Sequence, residues 1–396
     1  MEKIINNGFK KGRFYMKQQI ISYLSTIKDK INILSKYLND NPEPEFKEYK
    51  SCKYISNFLT ENGFHVKENF LNVPEAFYCE KGEGNTAVCF LCQYASDAEH
   101  GNICGSNIES AASIAAFLAV SQVIPKVKGK AVLIGCPGGK SNNFEYTLIK
   151  SGIFSKISAV FKIIPYTEDA LSGTSKAVIP VKVTIKGDSE YKVSNAYYFI
   201  VNSLNFIKNS LKNDNISFTD TSSKEIIGKN DFYIISKFYV KADMMSSAIK
   251  FTDKIKVLNN ILPALMEVNC EISSFGTPAQ QFCPSSTLSR LLSHNFKESG
   301  IINIKESINL NYASNIGSIS HVVPSICPFV SVTEDKSIKY CSKEYGKATL
   351  SAFAQDRTLK ATQALAFTAL DLIEKPELLI EARKEMDASH PELKVF

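Results

Sequence analysis

No apolar run in this 396-residue chain approaches the ~20 residues that span a bilayer, so no membrane segment is expected. The basic opening FKKGRFYMK is followed by no apolar core, which argues against a secretory signal; it is expected to be a solvated, partly disordered start. The chain has no internal repeat and no low-complexity segment. Nor is charge of one sign abundant: a net charge of +6 with 22% charged residues is modest for this length and gives no reason to expect nucleic acid as a partner. Histidine is scarce, and of the five residues His65, His100, His294 and His390 fall in predicted loops and ends. The ten cysteines have no regular spacing, which predicts reduced thiols in a cytoplasmic protein and not a disulfide framework.

What is present is the composition of an ordinary globular chain, 44% hydrophobic and long enough for two domains. QQIISYLSTIKDKINILSKYL and EYKSCKYISNFLTENGF carry apolar residues at helical spacing. TAVCFLCQY and GKAVLIGCP are near-continuous apolar runs of buried-strand length, with a helix predicted over 107–123 between them. NNFEYTLIKSG then reads as a helix and AVFKIIP as a third strand. This alternation predicts an α/β fold around a mostly parallel sheet. The texture changes after Gly173, where KAVIPVKVTIKG alternates with period two. The β–α–β–β–α order that follows, ending in one long helix from Met245 to Val268, predicts helices on one face of a small antiparallel sheet. HVVPSICPFVSV and two C-terminal helices resume the first pattern. The expected organisation is an α/β domain over 1–172 and 283–396, interrupted by an inserted α+β domain over 173–282.

The stretch GNICGSNIESAASIAAF, residues 101–117, raises the question of chemistry. A thiol in a Gly-flanked turn that opens a helix is a natural place to hold a metal, but Asn102 and Ser106 stand where histidines and carboxylates are usual. On its own, Cys104 reads first as a small packed hydrophobe. Cys89 and Cys92 form a CxxC on a predicted strand, where i and i+3 point to opposite faces, so they are expected to pack in the core.

In order and spacing these segments resemble the aminoacylase and carboxypeptidase family of di-zinc metallopeptidases, which includes hippurate hydrolase and aminobenzoyl-glutamate hydrolase. NPEPEFKEYKSCKYISNFLTENGF is similar to the family's opening helices, and LCQYASDAEHGNICGSNIESAAS resembles its LxEYDALPxxGHxCGHNxxxAAS. LIGCPGGK stands at the family's xxGTPAEE, NYASNIGSISHVVPSICP at xxxSTDxGNVSxVxPxxxP, and KATQALAFTALDLIEKPELL at its C-terminal helices. The resemblance implies an α/β metallopeptidase-like domain interrupted by a ferredoxin-like dimerisation or lid domain, and hence a homodimer.

The family's site holds two zinc or similar divalent ions through a cysteine, three histidines and a glutamate, with a second glutamate as general base. Carried over one position at a time, the cysteine is Cys104 and the histidines are Ser106, Ile164 and Cys341. The ligand glutamate is Lys140, the general base is Gly139, and the aspartate of STDxG is Asn315. The inserted segment KGDSEYKVSNA lacks the histidine with which the family reaches a partner's site. A bound metal brings water from a pKa of ~15.7 to near 7, which is roughly 12 kcal/mol of deprotonation free energy. A positioned base adds ~100- to 10,000-fold. Two thiols, a serine and a lysine supply neither, so no metal, no cofactor and no catalytic residue is expected at these positions.

The expectation is a catalytically inactive homologue that keeps a ligand cleft, lined by Lys140, Asn107, Asn315 and His321 and suited to a small carboxylate. Asp97 and Glu99 are the alternative partners of the Lys140 ammonium, and His321 reads equally as a structural histidine. An active hydrolase of N-acyl amino acids or dipeptides with an unorthodox metal site is the alternative. A soft-metal site built from Cys104, Cys136 and Cys341 is the third reading.

Overall fold

The computed structural model describes residues 2–97, 99–139, 143–211, 215–220, 225–227 and 232–389. Its first strands are β1 (Val66–Glu68), β2 (Phe77–Gly82), β3 (Thr86–Gln93), β4 (Gly129–Cys136), β5 (Ala159–Phe161), β6 (Ile164–Tyr166), β7 (Ala170–Thr174) and β8 (Ala177–Gly187). They are followed by β9 (Ser217–Asp220), β10 (Glu225–Ile227), β11 (Phe232–Ala242), β12 (Asn269–Ser274), β13 (Lys305–Asn309), β14 (Ser325–Ile326) and β15 (Phe329–Ser331). The first helices are α1 (Glu2–Asp40), α2 (Tyr49–Glu61), α3 (Ser106–Ser121), α4 (Asn143–Lys150), α5 (Glu190–Ser210) and α6 (Met245–Lys256). The rest are α7 (Leu258–Met266), α8 (Ser286–Glu298), α9 (Ile316–Ser320), α10 (Lys343–Ala348), α11 (Ala352–Glu374) and α12 (Pro376–Ser389).

The first sheet has the order β1-β2-β4-β3-β5-β14, with β4, β3, β5 and β14 parallel and an antiparallel β1–β2 edge. Alternation along β3 divides its apolar residues between two layers. Val88, Phe90 and Cys92 pack with α1, α3, α8 and α11, while Ala87, Cys89 and Leu91 pack with α4 and α9. The CxxC is thus split across the sheet, one thiol in each core. Helix α3 is buried along its whole length. Contrary to the expectation that no apolar run approaches spanning length, the stretch Ser106–Lys126, which begins with α3, is long and apolar enough to cross a membrane by length and composition alone, but it lies mostly inside the fold. Its hydroxyls bolt it to the sheet: Ser110 donates to the Gln93 carbonyl at 2.7 Å and Ser113 to that of Leu91 at 2.6 Å.

The second sheet runs β10-β11-β8-β12 with β9 also on β11, antiparallel throughout. Helices α5, α6 and α7 cover one face and share a separate core with Val181, Val183, Ile234, Phe238 and Ile272. The order β12-β8-β11-β9 with helices on one face is ferredoxin-like. The single helix expected from Met245 to Val268 is broken at Val257 into α6 and α7, and Pro263 lies inside the second.

A third sheet, β13-β7-β15-β6, was not anticipated. AVFKIIP is not one strand: β5 ends at Phe161 and β6 begins at Ile164 in a different sheet, with Lys162 and Ile163 as the joint. The N-terminal segment also departs from expectation, because α1 runs from Glu2. Arg13 pairs with the fully buried Asp371 of α11, and Lys17, itself buried, donates to Glu298 of α8 at 2.5 Å. Acidic side chains on two core helices recruit the basic run into the fold.

Candidate functional site

At the carboxyl ends of the parallel strands β3, β4 and β5 lies a cavity of about 500 Å³, the position where open α/β sheets bind ligands. Five chain segments meet there: the loop from Ala95 to Ser106, the turn at Gly139, the β5–β6 joint, and the loops at 312–315 and 340–341. Val178 of β8 and Tyr239 and Lys241 of β11 close it from the second sheet.

Backbone geometry fixes the loops. Gly105 takes φ +81° just before α3, and a Cβ there would come within 2.9 Å of Pro165 Cβ. Gly138 takes φ +77° against the Phe46 ring, and its N–H donates to the buried Glu48 carboxylate at 2.9 Å. Burial pushes the Glu48 carboxyl up to about 7. Asn315 donates from Nδ2 to the Gly139 carbonyl at 2.7 Å, tying the loop before α9 to this turn.

The buried cation on the cavity floor is Lys162. Its Nζ lies 3.2 Å from Glu109 Oε1 and donates to Gln93 Oε1 at 2.8 Å, and all three side chains are buried. Glu109 projects from the first turn of α3, and Glu145 of α4 is a second buried carboxyl under the influence of the same ammonium. Burial pushes Glu109 and Glu145 each up to about 7, while Lys162 pulls both down. For Lys162, burial alone would favour the neutral amine, but Glu109, Cys327 and Glu145 together more than offset it and the ammonium persists. One cation facing two buried carboxyls favours a single negative charge. Glu109 is the carboxyl in contact with the ammonium, at 3.2 Å, and Glu145 is raised to the same value of about 7. The Nε2 of Gln93 is a buried donor with no protein acceptor among the described groups.

Of the positions carried over from the resemblance, Cys104, Ser106, Gly139, Ile164, Asn315 and Cys341 all line the cavity. The Cys104 and Cys341 sulfurs lie 2.8 Å apart. The Ser106 hydroxyl is taken up within its own turn, 2.7 Å from the Ala95 carbonyl and 2.9 Å from Asn102 Oδ1. Lys140 lies outside the described residues, as does His390.

Two expectations need correction, those for Asn107 and Cys136, and one open choice, that for His321, is decided. Asn107 is not in the cleft: it is fully buried and donates to the hydroxyls of Ser35 at 3.0 Å and Thr349 at 3.1 Å, joining α3 to α1 and to the residue after α10. His321 is a buried structural residue, its Nε2 2.9 Å from the Gln281 carbonyl. Cys136 does not join the other two thiols: its side chain packs with Phe144 and Leu148 under the sheet, where burial holds the thiol protonated. Asp97 caps its own turn, accepting from the N–H groups of Glu99 and His100 at 3.0 Å and facing His100 Nδ1 at 2.9 Å.

Zinc does not fit this donor set. Gly139 and Ile164 offer no ligand atom, the Ser106 hydroxyl is engaged, and an ammonium occupies the cavity floor. Among the described residues no group of three or more His, Cys, Asp or Glu is arranged to hold a metal ion. The signals for Lys162 and Glu109 were in the sequence: a lone lysine inside AVFKIIP and a lone glutamate inside IESAASIAAF, each a charge in a run expected to be buried.

Comparison with known proteins bears on the family. No protein-family model matches the chain. The Xaa-Arg dipeptidase of Mus musculus is 25% identical over 402 residues, covering 93% of this chain and 92% of the relative. A p-aminobenzoyl-glutamate hydrolase chain of Escherichia coli is 27% identical over 139 residues, 30% of this chain and 29% of that one. Over most of its length the chain is similar to amidohydrolases of the aminoacylase type. Solved structures agree at the level of fold. The aminobenzoyl-glutamate utilization protein of Klebsiella pneumoniae superposes with TM-score 0.69 at 10% identity, covering 89% of this chain and 98% of that one. A dinuclear metal-binding peptidase of Bacillus subtilis gives TM-score 0.60 at 14% identity, covering 88% and 99%. On this fold the chain presents Lys162, Glu109 and Gln93 at the floor of its cleft.

Proposed function

We propose that this amidohydrolase-family chain is catalytically inactive and uses the cleft to bind a small carboxylate in the cytoplasm. The observation that carries the reading is the buried Lys162 ammonium in a cavity whose base and ligand positions are Gly139 and Ile164. A cavity of about 500 Å³ is of small-molecule size. The Gln93 Nε2 donor and the Lys241 ammonium on its wall suit a ligand rich in acceptors. Burial pushes the hydroxyls of Tyr312 and Tyr340 up, so both remain protonated donors at neutral pH. The relatives' names point to N-acyl amino acids and dipeptides as the ligand class. The role expected of Lys140 passes, in this reading, to Lys162 and Lys241. A homodimer through residues 173–282 belongs to the same proposal, supported by the exposed Tyr198 and Phe206 on α5 and Ile261 and Leu265 on α7.

Titration calorimetry with hippurate-type N-acyl amino acids and with dipeptides, in a chelator, tests the reading. Binding that weakens in Lys241→Ala and Gln93→Ala supports it. No binding by any member of the panel, with the chain folded, overturns it. The active-hydrolase alternative is favoured by the name of the full-length relative and predicts metal-dependent turnover instead.

A further inference from the structure

We propose that Cys104 and Cys341 are a reactive dithiol that closes to a disulfide at the mouth of the cleft by exchange with a small-molecule disulfide. The two residues are far apart in sequence, one in the turn before α3 and the other just before α10, yet their sulfurs approach to 2.8 Å. A disulfide needs ~2.05 Å between sulfurs, so the bond forms without displacing either segment by as much as an ångström. Cys341 is exposed and takes φ +60°, a left-handed conformation that non-glycine residues seldom adopt and that the fold holds here beside Cys104. Both side chains line the cavity, where a solute can reach them.

The other cysteines are poor competitors. Cys52, Cys79, Cys89, Cys92, Cys136 and Cys327 are buried in the cores. Cys270 and Cys283 are partly exposed, but burial pushes each thiol up to about 11, which leaves little thiolate at neutral pH.

The step balances as ordinary exchange. The Cys341 thiolate attacks one sulfur of a disulfide RSSR, forming a mixed disulfide and expelling RS⁻, which takes up the proton that Cys341 released. Cys104, as its thiolate, then attacks the Cys341 sulfur, forming the intramolecular bond and expelling the second RS⁻, which is protonated in turn. Two protein thiols are oxidised by two electrons and RSSR is reduced to two RSH. The result does not depend on what the cleft binds.

The test uses the full chain, reduced and then exposed to oxidised glutathione, with acid quenching and alkylation. The expected product has lost two hydrogens in intact mass and retains eight of the ten thiols. A non-reducing digest should contain one cross-linked peptide pair, Cys104 with Cys341, and dithiothreitol should restore all thiols. In Cys104→Ser the reaction should stop at one glutathione adduct on Cys341. All ten thiols surviving a large excess of oxidant in a folded chain, or a cross-link elsewhere, would overturn the assignment.

Discussion

Replacing Glu145 by glutamine should make this protein more stable at alkaline pH and leave it unchanged in acid. Glu145 is buried on α4, and burial raises its carboxyl from 4.5 to about 7, with Lys162 pulling the other way. The native state therefore holds a proton that the unfolded chain releases above pH 4.5. Where the native state binds more protons than the unfolded one, stability falls as pH rises. The contribution is fully present below 4.5, declines through the window up to about 7, and is then constant. At 1.36 kcal/mol per pH unit, that window corresponds to at most about 3 kcal/mol. Glu145→Gln keeps the shape and removes the titration, so it should equal the wild type near pH 4 and exceed it by about 2–3 kcal/mol at pH 8. Lys162→Met removes the cation that holds both Glu109 and Glu145 down, and should steepen the fall. Urea melts across pH 4–8 measure these curves. Parallel profiles for wild type and Glu145→Gln would refute the shared-charge account of the cavity floor.

The remaining predictions concern the frame around that floor. A core of this size does not need zinc to fold, so thermal melts with and without a strong chelator should coincide, and a large fall on chelation would contradict the donor-set argument. Arg13→Ala strands the buried Asp371 and should destabilise by about 2 kcal/mol, less than a fully buried pair would, because Arg13 remains 30% exposed. Denaturant melts would report it, and no change would mean that α1 is not anchored there. Sedimentation velocity at micromolar concentration should find a dimer, and a concentration-independent monomer would remove the proposed role of residues 173–282.

Much of the architecture was legible because burial writes itself into residue type. TAVCFLCQY could only be a strand covered on both faces, and the two thiols of its CxxC duly fall on opposite sides of the sheet. The change to period-two alternation after Gly173 matched β8, one face of which is covered by helices. What composition could not reveal is long-range convergence. Nothing local to NICGS or to CSKEY says that two sulfurs 237 positions apart will touch; that came from the resemblance. The β5–β6 break escaped notice because AVFKIIP has no glycine to mark it, and the marker was Lys162 itself. Its ammonium needs Glu109 and Gln93, and the chain leaves the first sheet at the point where they are within reach. Asn107 departs from expectation because a polar residue beside a motif looks the same in sequence whether it faces a ligand or two buried hydroxyls, and of the two readings open for His321 the structure gives the structural one.

The central claim is a family cleft without the family's chemistry, and one assay tests it most directly. Xaa-Arg dipeptides, N-acyl amino acids and p-aminobenzoyl-glutamate should be incubated with the purified chain in added zinc, manganese or cobalt, with product followed by chromatography over hours. The account predicts no product above the protein-free control with any metal. Turnover that requires metal, disappears on chelation and is lost in Cys104→Ser would contradict it.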